Sequence, residues 1–439
     1  MRIEAISHLF GNGKKVVAIN AILIANAFIW YSYAFKFLTN SISLENLNAQ
    51  FLSIMVVHFL VLFMALILGE FFSRKTKNSL TFLVLWMLSG ALLSLVPLIT
   101  GLSYLGIIVF AVIAGANFGF GLPACLGYFA STTESTNRGK LGGIVYLLIG
   151  IGAFIISTAG TESLAIATLV LAGWKAVGLL LIVFLKPNKT NFSTKPSFSY
   201  RKIFSNRGFL LYFAPWVMFV FVNSLAFPVI EKVFPADLVQ SSANIEYVLS
   251  GVSAVIFGFF ADSKGRKRLT VAGFAFLGVG YGVLGLSSGN IFGWWFYTII
   301  DGIAWGCFVM IFIFALWGDL SEGRSGGKIY AVGVMPYLFS SFMRFSIGNT
   351  LGDAIANYST IFSFASFFLF MAVLPLVFAP ETMSEQIIKN NDLKNYVQKA
   401  KKQVSKVQKK KNEIDEGQLE QVEESEEYKK AEKLAEKYY

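Results

Sequence analysis

Charge is what this chain has least of. Lys, Arg, Asp and Glu make up 14% of its 439 residues, against 55% hydrophobic. A water-facing surface needs roughly twice that share of charge, so an ordinary soluble fold is excluded. Histidine and cysteine are scarcer still, at two each. Without a Cys/His cluster at ligand spacing, no metal is expected. Cys125 and Cys307 suggest no disulfide framework. There is no Gly-rich phosphate loop ending in Gly-Lys-Ser/Thr, which argues against nucleotide hydrolysis in this chain. No nucleophile–base set points to an enzyme, and no cofactor is expected.

Apolar runs are abundant, and Phe alone supplies 44 residues. A lipid-facing helix needs roughly 20 apolar residues, at about 1.5 Å rise each. Such runs fall near 16–38, 51–69, 80–99, 105–130, 141–158 and 163–185, then near 209–230, 244–261, 268–287, 292–316, 329–350 and 359–379. Twelve spans are therefore expected. The first run is too long for a cleaved signal peptide, so Met1 is expected to remain.

Lys and Arg set the orientation. They crowd the N-terminus and every second loop: Arg74, Lys75 and Lys77; Arg138 and Lys140; the linker from Lys186 to Arg207; Lys264 to Arg268; Arg324 and Lys328. The intervening loops carry almost none, Lys36 and Lys232 excepted. Both termini are expected in the cytoplasm. The net charge of +11 then reads as a topology signal and not as a nucleic-acid footprint.

The sequence repeats itself. Gly69 to Asn78 reads G-E-F-F-S-R-K-T-K-N, and Gly258 to Lys267 reads G-F-F-A-D-S-K-G-R-K. Gly139-Lys140 likewise matches Gly327-Lys328. Ser73 stands where Asp262 stands, and Thr76 where Gly265 stands. Glycine lets a neighbouring helix approach closely. An acid at a span end can face the positive N-terminus of a nearby helix.

The loop of Gly258, Asp262, Gly265, Arg266 and Lys267 resembles the cytoplasmic motif of major facilitator superfamily transporters. The resemblance implies an all-α polytopic membrane fold, with two parallel six-helix repeats around a central cavity. The expected boundaries are an N-terminus over 1–15, bundles over 16–185 and 209–380, a linker over 186–208 and a charged tail over 381–439. In such proteins this loop latches the halves on the inner face. Asp262 is expected to contact Arg138 or Arg266. The matching loop of Gly69, Ser73 and Lys77 lacks the acid, so an asymmetric latch follows. Glu134-x3-Arg138-Gly139, Asp319 to Lys328 and Pro380-Glu381-Thr382 resemble the loops of sugar-porter-like members, though a helix stop with an acidic N-cap explains the last equally well.

Ionisable residues inside a bilayer are costly and mark candidate sites. Asp301 and Arg344 lie at similar depth in spans ten and eleven, and an Asp301–Arg344 pair is expected. His58 in span two is a candidate proton carrier or a helix–helix hydrogen bond. Lys175 in span six is a weaker candidate, and Glu70 is expected to reach water or Arg74. Asn26, Asn117 and Asn223 fall in spans one, four and seven, which line the cavity in the resembled family.

The expected function is transport of a small solute, such as a sugar or other metabolite, by alternating access in the plasma membrane. Uniport and proton symport both stay open, and a membrane receptor signalling through its tail is the alternative. The expected partners are the solute, protons and the lipid bilayer, with no nucleic acid and a monomeric state. The tail carries a short 4-3-4-3 seam of Leu393, Val397, Ala400, Val404 and Val407, suited to a protein partner or anionic lipid.

Overall fold

The computed structural model describes residues 12–45, 48–76, 79–157, 160–185, 198–287, 289–321, 326–354 and 358–383, and isolated stretches between 389 and 433. Lys77, Arg324, most of the linker and Val407 lie outside the described residues. The chain divides into two compact units, Met1–Thr382 and Met383–Tyr439.

Among the described residues of the first unit, twelve principal helices follow one another: α1 Asn12–Leu44, α2 Phe51–Lys75, α3 Ser79–Leu93, α4 Tyr104–Thr132, α5 Arg138–Ser157 and α6 Leu164–Leu185, then α7 Arg207–Val233, α8 Ala236–Lys264, α9 Arg266–Leu286, α10 Ile291–Phe308, α11 Gly327–Ala354 and α12 Tyr358–Met371. Helix α10 runs on through a π-helical turn, Val309–Ala315, to Leu320. With α3 continued to Thr100 and α12 to Phe378, eleven of the twelve are long and apolar enough to cross a membrane. The exception, α11, has 28 residues but is diluted by polar groups such as Ser340, Ser341, Arg344 and Asn349.

Packing repeats between the halves. Helix α2 lies on α4 as α8 lies on α10, α3 on α6 as α9 on α12, and α1 on α5 as α7 on α11. Two seams join the halves, α5 against α8 and α2 against α11. Glycine makes the first seam close. A Cβ on Gly258 would collide with the backbone oxygen of Gly139, and one on Gly143 with that of Ala254. In the second unit, Leu393, Val397, Ala400 and Val404 fall on helical residues, including the stretch 399–406.

Candidate functional site

At one face of the bundle, the Gly258 loop forms a network of buried charge. Asp262 accepts hydrogen bonds from the backbone N–H groups of Gly139 (2.9 Å) and Lys140 (2.8 Å). These are free donors because they open α5, where no earlier carbonyl can pair with them. The carboxylate also meets the positive end of that helix. Arg266 reaches back one turn to Asp262 at 3.1 Å and across to Asp319 at 3.2 Å. Asp319 also pairs with Arg138. Arg138 is held in turn by Thr133 Oγ1 and the carbonyls of Ala130 and Thr133. Of the two expected partners for Asp262, the structure brings Arg266; Arg138 is bound to Asp319 instead.

Gly265 adopts φ +94°, a backbone conformation that L side chains rarely take, so that α8 can turn into α9. The N-terminus of α9 is capped from afar. Glu381 accepts from the backbone N–H of Arg266 (2.9 Å) and Lys267 (3.1 Å). The Pro-Glu-Thr segment thus is an acidic cap, but for another helix, and Thr382 also donates to Asp319.

The matching loop departs from the sequence expectation. Ser73 bonds only within its own helix, to the Glu70 carbonyl. Glu70 is buried, not in water, and its side chain packs against Gly327 at the start of α11. Arg74 and Lys328 lie near it. The acid that Ser73 lacks is supplied three residues earlier by Glu70, facing the helix that corresponds to α5.

A second cluster lies deeper, in the second half. Asp301 of α10 accepts a hydrogen bond from Asn223 of α7 at 2.9 Å. Tyr297 donates to Tyr281, and Tyr281 to the Asn223 oxygen. The Glu246 carboxyl of α8 stands beside that of Asp301. Two carboxylates side by side in a dry interior repel, so such a pair is suited to share one proton. Tyr146, Tyr247 and Arg344 stand close to Glu246.

The expected Asp301–Arg344 pair is not formed. Arg344 instead faces Glu231 at 3.8 Å and lies over the Phe227 ring at 3.5 Å. Burial explains the exchange: Asp301 is 2% exposed, whereas the Arg344 and Glu231 side chains are 34% and 52% exposed. The wet guanidinium takes the wet carboxylate.

The candidates of the first half do not join this cluster. Both ring nitrogens of His58 are engaged, Nδ1 with the Ala111 carbonyl (2.9 Å) and Nε2 with the Tyr31 hydroxyl (3.0 Å). Asn26 donates to the Trp174 carbonyl, tying α1 to α6. Asn117 lines a groove between α2, α3 and α4, on the flank of the first half. Lys175 does not snorkel to water; its ammonium is buried between the rings of Trp86 (3.8 Å) and Trp30 (4.9 Å). Of six substrate candidates, Asn223 and Asp301 meet, and Arg344 lies near Glu246, which sequence reasoning missed.

No protein-family model and no curated relative matches the chain. Solved structures do. The human organic anion transporter MFSD10 is 12% identical, covers 84% of this chain and all of its own, and aligns with a TM-score of 0.63. The proton:xylose symporter XylE is 16% identical over 85% of this chain and 97% of its own, with a TM-score of 0.62. FucP in the outward conformation is 14% identical over 84% of this chain and 100% of its own, with a TM-score of 0.64. This likeness shows the fold: a multi-pass membrane protein with the twelve-helix architecture of the major facilitator superfamily.

Proposed function

We propose that this chain is a proton-coupled secondary transporter of a small organic solute in the cell membrane, with both termini in the cytoplasm. The observation that carries the reading is the Glu246–Asp301 pair. Two carboxyls side by side among helices α7, α8 and α10, near the seam between the halves, suit one shared and exchangeable proton. Intramembrane carboxyls of this kind mark proton relays. The halves over 16–185 and 209–380 rock about this site, and the Asp262 network holds one face shut while the other is open. XylE and the E. coli fucose transporter FucP, both proton symporters by description, share this fold.

The lining argues against a sugar. Of the amides that would bind hydroxyls, Asn26 is tied to the Trp174 carbonyl and Asn117 lines a groove on the flank of the first half. The second half beside the site is aromatic instead, with Phe221 against Phe339 and Trp305 against Tyr337.

The test is uptake into vesicles containing the purified protein, across a panel of organic solutes, with a proton gradient imposed and then collapsed by a protonophore. Proton coupling predicts accumulation that disappears with the gradient. Accumulation that ignores the gradient contradicts it.

A further inference from the structure

The two seams between the halves differ in how far they close. On the α2–α11 side, phenylalanines join the helices along their length. Phe63 meets Phe339 at 6.0 Å, Phe59 meets Phe342 at 5.4 Å and Phe51 meets Phe345 at 6.4 Å. Phe51 is the first residue of α2, so this seam reaches the face opposite the Asp262 network.

The α5–α8 side closes only halfway. Its rungs are Gly139 on Gly258, Gly143 on Ala254 and Leu147 on Gly251, with Tyr146 near Ser250 beside the last. Helical spacing puts Gly150 and Tyr247 at the next rung. No described atom lies within 4 Å of where a Gly150 Cβ would stand, and Tyr247 is 70% exposed. The contact therefore stops at mid-depth, and what lies behind the gap is the carboxyl pair, since Glu246 adjoins Tyr247.

Charge selects what could use such a gap. Arg344 is answered by Glu231. Glu246 and Asp301 form no salt bridge among the described residues. The cluster so counted is acidic, and it is bordered by Tyr146, Tyr247, Tyr337 and Trp305. Aromatic faces and a buried carboxylate attract an organic cation and repel an anion of the same shape.

We propose that the cleft between α5 and α8 is a lateral portal, through which a lipophilic organic cation passes between the bilayer and the Glu246–Asp301 site. The proposal rests on the transport reading for its purpose, but its geometry is tested without transport.

A spin label at Gly150→Cys, in lipid nanodiscs with the buried Cys125 and Cys307 left in place, reports the first half. Relaxation by oxygen, which enters lipid, should far exceed relaxation by a water-soluble nickel chelate. A label at Leu147→Cys should respond weakly to both. Nickel dominating at position 150, or neither agent reaching it, overturns the portal. Binding of tetraphenylphosphonium and of tetraphenylborate, ions of one shape and opposite charge, reports the second half. The cation should bind at least tenfold tighter, and E246Q should weaken it at least tenfold. Equal or tighter binding of the borate, or no loss in a folded E246Q, overturns the cation site. An oxygen-accessible Gly150 in a protein without proton-driven uptake would sink the transport reading and spare the portal.

Discussion

Replacing Asp262 by Asn should open the face that it holds shut. The substitution keeps the shape of the side chain but removes its charge. One amide oxygen can still accept from Gly139 or Lys140, but the second acceptor is lost, as is the attraction to Arg266 and to the α5 N-terminus. A charge-assisted hydrogen bond contributes about 1.5–3 kcal/mol, and breaking a buried pair costs about 3–5 kcal/mol. Arg266 keeps Asp319, which softens the loss. A net effect near 3 kcal/mol follows, or about a hundredfold in the ratio of shut to open, at roughly 1.4 kcal/mol per tenfold. The penalty falls on the shut state alone, because the rungs of α5 and α8 part when the face opens. Ala254 is wholly buried in that seam, so an Ala254→Cys reporter should label with a water-soluble maleimide only when it opens. The D262N background should raise the labelling rate by one to two orders of magnitude while circular dichroism shows an intact fold. A rate within twofold of the parent would refute the reasoning.

Further consequences are as direct. Gly258→Val should act in the same direction as D262N, because its Cβ would push against the Gly139 backbone; an unchanged labelling rate at Ala254→Cys would mean that the seam yields without opening. Glu70→Gln should raise the labelling of a reporter cysteine near Gly327 several-fold, whereas Ser73→Ala should not; the reverse order would restore Ser73 as the latch position. His58→Phe should lower thermal stability by about 1–3 kcal/mol, since it leaves the Ala111 carbonyl and Tyr31 hydroxyl unpaired, yet leave proton coupling intact. Loss of coupling in a stable His58→Phe protein would make the imidazole a proton carrier.

Much of the architecture was legible. Twelve apolar runs named twelve helices, and the offset between the Gly69 and Gly258 loops named the repeat. Gly258, Asp262 and Arg266 could be read because a latch between helix ends is local chemistry: a glycine, an acid one turn on, and an arginine one turn further. The deep site was harder. Hydropathy starts the eighth span near 244, because Asp237, Gln240, Ser241, Ser242 and Asn244 dilute the first turns, whereas α8 begins at Ala236. That late start put Glu246 at a water-facing mouth and hid it as the partner of Asp301. Depth alone paired Asp301 with Arg344, but depth ignores which face of α11 the arginine occupies and how wet it is. Asn26 and Asn117 were read from their helices, yet an amide on a cavity-lining helix can equally point at its neighbour within the half. Glu70 was set aside because the repeat was matched residue by residue, while the acid had moved by one turn.

The central claim is that Glu246 and Asp301 hold a proton between them. Infrared difference spectroscopy of the protein in lipid tests it most directly, by the carboxylic-acid C=O band that only a protonated carboxyl gives. The account predicts a band that shifts in E246Q, shifts again in D301N, disappears when both are changed, and responds to solute binding in the parent. A band untouched by either substitution would contradict it.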